Sequence, residues 1–240
     1  MKAKAGPALR AARTLCIDIG GTGLKTMVVS ARGKPLSERQ RIETPRPATP
    51  RAVLAALARI VPDRAAFDRV SVGFPGVVVD GVVRTAVNLH PAWEGFDLAT
   101  AVLRSTGRPT RVLNDAGVQG YGVVAGRGVE ICVTLGTGFG FSLFFDGQYV
   151  PNVEFGHHPF RKGKSYEDLL GDAALGRAGK KKWNRVLARA IEQLRHTFNF
   201  RVLYLGGGNA RHVTLPVPRD VRVVDNVAGL IGGVRLWERG

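Results

Sequence analysis

The chain has 240 residues, enough for one large or two small domains, and a hydrophobic fraction of 45%, ordinary for a globular protein. No apolar run is long enough to span a bilayer, and residues 1–13 are rich in Lys, Arg and Ala without the apolar core of a secretory signal, so a cytoplasmic protein off the membrane is expected. The 35 Lys and Arg against 19 Asp and Glu give a formal charge of +16, which points either to a polyanionic partner or to solvated, arginine-rich surface.

The excess gathers at Lys2, Lys4, Arg10 and Arg13, at Arg161, Lys162 and Lys164, and along Arg177, Lys180, Lys181, Lys182, Arg185 and Arg189. No nucleic-acid signature accompanies it, and the basic residues are not interleaved with aromatics, so no nucleic-acid partner is expected.

In chain order, Cys16–Ile19 is a β-branched run that breaks at Gly20, Gly21, Thr22 and Gly23 and resumes at Met27–Val29. This reads as strand, glycine turn, strand, with Arg32-Gly33 turning the chain again. Free N–H groups in such a turn suit an anion. Asp18 inside the apolar strand needs a partner or a metal, or else bonds its own turn.

Arg41–Pro50 reads as a loop, and Thr49-Pro50 opens a helix with apolar Val53, Leu54, Leu57 and Val61. A strand follows at Val70–Phe74, broken by Pro75-Gly76, and Asp80-Gly81 signals a two-residue hairpin. Asn88–Trp93 is a loop, and Asp97 caps a helix ending near Gly107. Thr110–Leu113 is a strand with Asn114-Asp115 at its carboxyl end, where open α/β sheets place ligands. A glycine-rich helix over Ala116–Ala125 follows.

The opening pattern then recurs: Cys132–Leu135, Gly136-Thr137-Gly138, a strand at Phe141–Phe145 and a turn at Asp146-Gly147. Repetition of strand, glycine turn and strand predicts two similar half-domains, each offering one turn to a phosphate chain across a cleft. Cys16 and Cys132 lie in these strands without metal or redox spacing and read as buried thiols. Pro151–Ser165 is a long loop carrying Glu154-Phe-Gly-His157, and Ser165-Tyr-Glu-Asp168 is a capping box. The longest helix covers Lys180–Asn199. Val202–Leu205 is a strand running into Gly206-Gly207-Gly208-Asn209, Val221–Val224 is a last strand, and Asn226–Trp237 is a helix. Gly163-Lys164-Ser165 mimics the end of a P-loop, but His158 stands where the first glycine belongs.

Asp18, Asn114-Asp115, Glu154, His157 and Glu167 form a chemical set suited to alcohol phosphorylation, which needs a base, phosphate donors and usually Mg²⁺. Each also has a bland reading: a turn Asn-Asp, a solvated His, a Glu favouring a helix N-terminus. Asp115 is the candidate base, and Asn114 has donor and acceptor functions that suit sugar hydroxyls.

The string Asp18-Ile-Gly-Gly-Thr-Gly23, the Asn114-Asp115 pair and Glu154-x-Gly-His157 resemble the ROK family of sugar kinases and repressors along roughly residues 15–233. Phe74-Pro-Gly-Val-Val78, Val150-Pro-Asn-x-Glu-x-Gly-His157, Lys182-Trp183 and Asn226-x-Ala-Gly229 are similar to its polyphosphate glucokinase branch. The resemblance implies an α/β protein of the actin-like (ribonuclease H-like) sugar-kinase ATPase fold, with two similar domains around a cleft. Residues 1–113 would form the first domain, with a C-terminal helix over 226–240 packing back on it, and 114–225 the second.

It implies Asp115 as base, with Gly76, Asn88, Asn114, Glu154, His157 and Glu167 around a glucose or related hexose. The segment from Asn88 to Trp93 would line the sugar pocket. It implies phosphate contacts from Asp18, Gly20, Gly21, Thr22, Gly23, Lys25, Gly136, Thr137, Gly138, Gly207 and Gly208, with Asp18 holding Mg²⁺ through water.

The donor would be polyphosphate, ATP or both, and the assembly a homodimer. A strictly ATP-dependent hexose kinase and a catalytically weak sugar sensor stay open. No Cys follows Cys132, so the zinc site of many members is not expected; Asn209-Ala-Arg211 departs from the branch after the third glycine motif, which bears on donor contacts; Phe155 replaces the usual Leu, which bears on sugar preference. Only about a dozen residues precede the first strand in this sequence, so the helix-turn-helix of the family's repressors is not expected.

Overall fold

A computed structural model describes residues 12–87, 89–224 and 228–238. The chain divides into two compact units, Met1–Val118 with Gly229–Gly240, and Gln119–Ala228.

The first unit contains β1 (Thr14–Ile19), β2 (Gly23–Val29), β3 (Gln40–Glu43), α1 (Pro50–Leu57), β4 (Arg69–Phe74), β5 (Val78–Val79), β6 (Val82–Val83), α2 (Leu98–Thr106) and β7 (Thr110–Asn114). Its main sheet has the order β3-β2-β1-β4-β7. The first three strands are antiparallel neighbours, and β1, β4 and β7 run parallel.

Local sequence explains most of this. Thr49 accepts from Ala52 N to start α1, Asp97 accepts from Thr100 N to start α2, and Gly107 ends α2 in the left-handed conformation. Asp80 and Gly81 both have positive φ, as a two-residue hairpin turn demands. β4 is buried along its whole length and packs with Val53, Leu57, Trp93, Leu98 and Val102.

The second unit repeats the plan. β7 runs into α3 (Asp115–Val123), inside which the division falls, then β8 (Val129–Leu135), β9 (Phe139–Phe145), β10 (Gln148–Val150), the hairpin β11 (Pro159–Arg161) and β12 (Lys164–Ser165), α4 (Tyr166–Leu170), α5 (Asp172–Phe198), β13 (Val202–Gly206) and β14 (Val221–Val223). The sheet order is β10-β9-β8-β13-β14, with the same senses as in the first sheet. Its core takes Ile131, Val133, Leu135, Trp183, Leu187, Ile191, Leu194 and Leu203.

The final helix, α6 (Ala228–Arg235), leads back to the first unit. Ser71 Oγ donates to Gly233 O (2.6 Å), Trp237 Nε1 donates to Ser71 Oγ (2.8 Å), and the Arg69 and Arg111 guanidiniums lie over the Trp237 ring at 5.2 and 4.7 Å. The expected start of this helix at Asn226 lies outside the described residues.

Three expectations change. Part of the Arg41–Pro50 loop belongs to β3, an edge strand whose charged alternation hides its one apolar residue, Ile42. Within Pro151–Ser165 there is a 3-10 turn at Phe155–His157 and the β11–β12 hairpin, turned by Lys162 and Gly163 at positive φ. The long helix expected from Lys180 is present, but a further helical segment from Asp172 precedes it, the two parted at Gly179 (φ 72°, ψ 156°), because only glycine takes that backbone cheaply. No helix among the described residues is long and apolar enough to cross a membrane.

Candidate active site

In the first unit, Gly20-Gly21-Thr22 connects β1 to β2. Gly20 N donates to Gly23 O (3.0 Å), and a Cβ at Gly20 would lie 2.9 Å from that oxygen, so the turn is closed too tightly for a side chain. Thr44 Oγ1 donates to Gly20 O and holds the turn from β3's end. Asp18 faces Lys25 across the β1–β2 register, and Lys25 Nζ donates to Asp18 Oδ2 at 2.6 Å. The two expected phosphate-side groups therefore neutralise one another, which answers how a carboxylate is tolerated in this strand.

Gly73 is register partner to both Asp18 and Leu113. A Cβ there would stand 3.4 Å from Asp115 Cα, so the first residue of α3 rests on this glycine. Asp18 and Asp115 thus border the same strand position. Asp115 Oδ1 accepts from Ala116 N (2.7 Å) and the residue is partly exposed.

Asn114 is buried; its Nδ2 donates to Gly76 O (3.2 Å) and its Oδ1 accepts from Gly117 N (3.2 Å). It joins the Phe74-Pro-Gly turn to the start of α3, and one amide hydrogen remains for a ligand. Asn88 lies outside the described residues. Trp93, expected beside the sugar, is fully buried: Nε1 donates to Ala48 O (2.8 Å), and the ring packs on Phe74 and Phe96. It supports the loop from inside.

In the second unit, Gly136 N donates to Gly138 O (3.1 Å), closing the repeated turn as the first is closed. Glu167 covers this turn. Its Oε2 accepts from Phe139 N (3.1 Å), and a Cβ on Gly138 would overlap its carboxylate. The expected sugar ligand Glu167 is thus anchored to the glycine turn through one oxygen. Glu154 precedes the 3-10 turn, and its Oε2 lies 4.0 Å from His157 Nε2. Burial pushes the Glu154 carboxyl above the usual range; His157 opposes the shift and Glu167 adds to it. Glu154, His157 and Glu167 are therefore brought together. Phe155 points into packing with Phe141, Tyr166 and Phe198 and stacks on His158, so it positions the turn rather than facing a ligand.

Gly207 has φ 86°, and a side chain there would strike the Leu135 backbone, while Gly208 opens a 3-10 turn. Asn209 is buried, and its Nδ2 donates to Gly136 O (3.3 Å) and Asp172 Oδ1 (3.2 Å). Asp172 N donates to Gly136 O at 2.9 Å. Asn209 and Asp172 therefore fix the second glycine turn to the third and to the start of α5. Neither was singled out as functional from sequence, nor was Gly73; the visible signals were a polar residue after Gly206-Gly-Gly and a glycine inside a valine-rich strand. Among the described residues, no group of three or more His, Cys, Asp and Glu is placed to hold a metal.

Comparison with known proteins agrees with the repeated sheets. A polyphosphate glucokinase of Mycobacterium tuberculosis is 32% identical over 235 residues, covering 90% of this chain and 88% of the relative. A polyphosphate glucokinase of Mycobacterium leprae is 31% identical over 237 residues, covering 90% and 72%. The solved inorganic polyphosphate/ATP-glucomannokinase of Arthrobacter sp. strain KM superposes with a TM-score of 0.84 at 32% identity, covering 94% of this chain and 98% of the other. A ROK glucokinase of Streptomyces griseus, solved with glucose and AMPPNP, shares the fold at TM-score 0.77 and 22% identity, covering 93% and 98%. The ROK family model matches residues 14–166, more than half of the sequence, and with the fold repeated in both units the chain belongs to the ROK family.

Proposed function

We propose that the protein is a cytoplasmic hexokinase that transfers a phosphoryl group from polyphosphate or ATP to the 6-hydroxyl of glucose. The observation that carries this reading is the placement of Asp115 at the carboxyl end of β7, resting on Gly73 and partly exposed. The relatives named above as polyphosphate glucokinases and glucomannokinase supply the substrate class. A homodimer is expected, which sedimentation would reveal.

In this mechanism Asp115 accepts the proton of the sugar hydroxyl as its oxygen attacks the terminal phosphorus in line. The bond from phosphorus to the donor's bridging oxygen breaks, and the proton later leaves Asp115 for water. Glu154, His157 and the remaining Asn114 hydrogen orient the sugar. N–H groups of the glycine turns other than Gly20 and Gly136 would bind the phosphates, where fixed donors need no reorganisation as charge develops. Lys25 adds a positive charge beside the first turn.

Mg²⁺ suits the donor set of the first unit: it keeps several waters and binds through one or two carboxylates plus substrate phosphates. Asp18, whose Oδ2 accepts from Lys25 Nζ, is the residue that would hold the ion, through water. The ion would supply charge neutralisation on the donor. Activity should disappear in excess chelator and return with Mg²⁺, and the purified protein should carry no stoichiometric zinc. Full activity in chelator, or one tightly held zinc per chain, would contradict these assignments.

The raised Glu154 carboxyl gives a pH signature. Its ionised form accepts hydrogen bonds from sugar hydroxyls. As pH falls through its raised pKa, above the ordinary value of about 4.3, Glu154 takes up a proton and the KM for glucose should rise. Glu154→Gln should show the high KM at every pH. A wild-type KM flat across that range would remove Glu154 from sugar binding.

The direct test is glucose phosphorylation measured with each donor. Sugar binding without turnover from either would favour the sensor reading.

A further inference from the structure

The second unit carries a cavity of about 360 Å³ lined by Phe160, Arg161, Arg189, Glu192, Gln193 and His196. Two elements build it. The β11–β12 hairpin contributes Phe160 and Arg161, and α5 contributes the rest, at three- and four-residue spacings that put them on one helix face. The walls are fixed to one another: Phe160 stacks on Tyr166 at 4.4 Å, and Tyr166 OH donates to Gln193 Oε1 at 3.1 Å.

Its charge is unbalanced. Two guanidiniums, Arg161 and Arg189, face a single carboxylate, Glu192, and none of the three belongs to an ion pair among the described residues. Lys162, Lys164 and Arg185 stand exposed on the same two elements, likewise without an ion-pair partner there. A concave surface with an excess of positive charge concentrates anions. The cavity is also close to the second glycine turn. The Tyr166 ring that supports Phe160 packs on Phe139 at 5.4 Å, and Phe139 N is the donor held by Glu167. The Tyr166 ring thus touches one residue of each place, Phe160 and Phe139.

We propose that this cavity is an accessory site for inorganic polyphosphate, gripping a segment of the chain away from the phosphate being transferred. The proposal rests on the donor reading above. ATP carries its charge at one place, whereas polyphosphate carries about one charge per phosphate along its length, so most of its charge must be met outside the glycine turns. Guanidiniums fit phosphate oxygens in a bidentate way. A nucleic acid would require aromatic faces open for base stacking, and one face of Phe160 is already covered by Tyr166.

The test is calorimetric binding of long-chain polyphosphate, tripolyphosphate and a single-stranded oligonucleotide of matched charge to the full chain, at several salt concentrations. Wild type should bind the long chain more tightly than either competitor. Arg161→Glu with Arg189→Glu should weaken long-chain binding at least tenfold and flatten its salt dependence by about 1–2 in log–log slope, the loss of two phosphate contacts. Glu192→Gln should tighten it several-fold, an outcome that misfolding cannot produce and that carries the test if the double variant fails to fold.

Unchanged long-chain affinity in the variants overturns the proposal. So does equal wild-type affinity for tripolyphosphate, or for the oligonucleotide. Glucose phosphorylation from ATP by wild type is measured alongside: its presence with no polyphosphate binding overturns the cavity site alone, while its absence with polyphosphate binding intact overturns only the kinase reading.

Discussion

Asp115→Asn is expected to lower glucose turnover by about 10²- to 10⁴-fold, the scale of general-base loss. The substitution is nearly isosteric. An amide Oδ1 can still accept from Ala116 N, so the start of α3 keeps that bond. The contact of Asp115 Cα with Gly73 is a backbone contact and does not change. Glucose affinity should therefore stay within a few-fold of wild type, and the melting temperature within a few degrees. The amide cannot take the hydroxyl proton, so the loss falls on kcat. Near wild-type turnover would remove Asp115 from the role of base.

Glu130→Ala should be the most damaging single substitution for stability in the second unit. Glu130 is fully buried in β8. Its carboxylate accepts from Ala125 N at 2.8 Å, Gly126 N at 2.6 Å, Arg127 N at 3.0 Å and Tyr204 OH at 3.0 Å. Three consecutive backbone donors thus close on one side chain, fixing the turn between α3 and β8. Alanine would leave four donors without acceptors, each costing about 1–3 kcal/mol when buried. Allowing for water entry, about 3–5 kcal/mol is expected, a fall of roughly 10 °C in Tm for a chain of this size. The Tyr204 phenol is a local reporter. Burial first, and then the bond to Glu130, push it up to about 12. Spectrophotometric titration of the variant should find it lower, because the carboxylate contribution is gone. A Tm within 2 °C of wild type would mean the turn satisfies itself without Glu130.

Local chemistry was readable in the sequence. Thr49, Asp97 and the Ser165/Asp168 box cap the helices assigned to them, and Asp80-Gly81 and Asp146-Gly147 take the positive φ that their turns require. The repeated strand–glycine turn–strand pattern predicted the repeated sheet, because each turn closes on itself through one backbone hydrogen bond, Gly20 N to Gly23 O and Gly136 N to Gly138 O.

What escaped depends on partners distant in sequence. Trp93 sits in a loop by local punctuation, but it is held by Ala48 and Phe74. Glu167 reads as a helix N-terminal acid, yet its carboxylate serves Phe139 N, 28 residues earlier. Asn209 is joined to Gly136 over 73 residues. The edge strand β3 was missed because its pairing with β2 leaves no apolar alternation to read.

The central claim is phosphoryl transfer to a hexose. It is tested most directly by incubating the protein with glucose, mannose and N-acetylmannosamine in turn, with Mg²⁺ and either ATP or long-chain polyphosphate, and identifying the products by phosphorus NMR. Glucose 6-phosphate formed at rates that depend on donor and vanish in Asp115→Asn is the expected result. A protein that binds glucose but forms no sugar phosphate from either donor would contradict it.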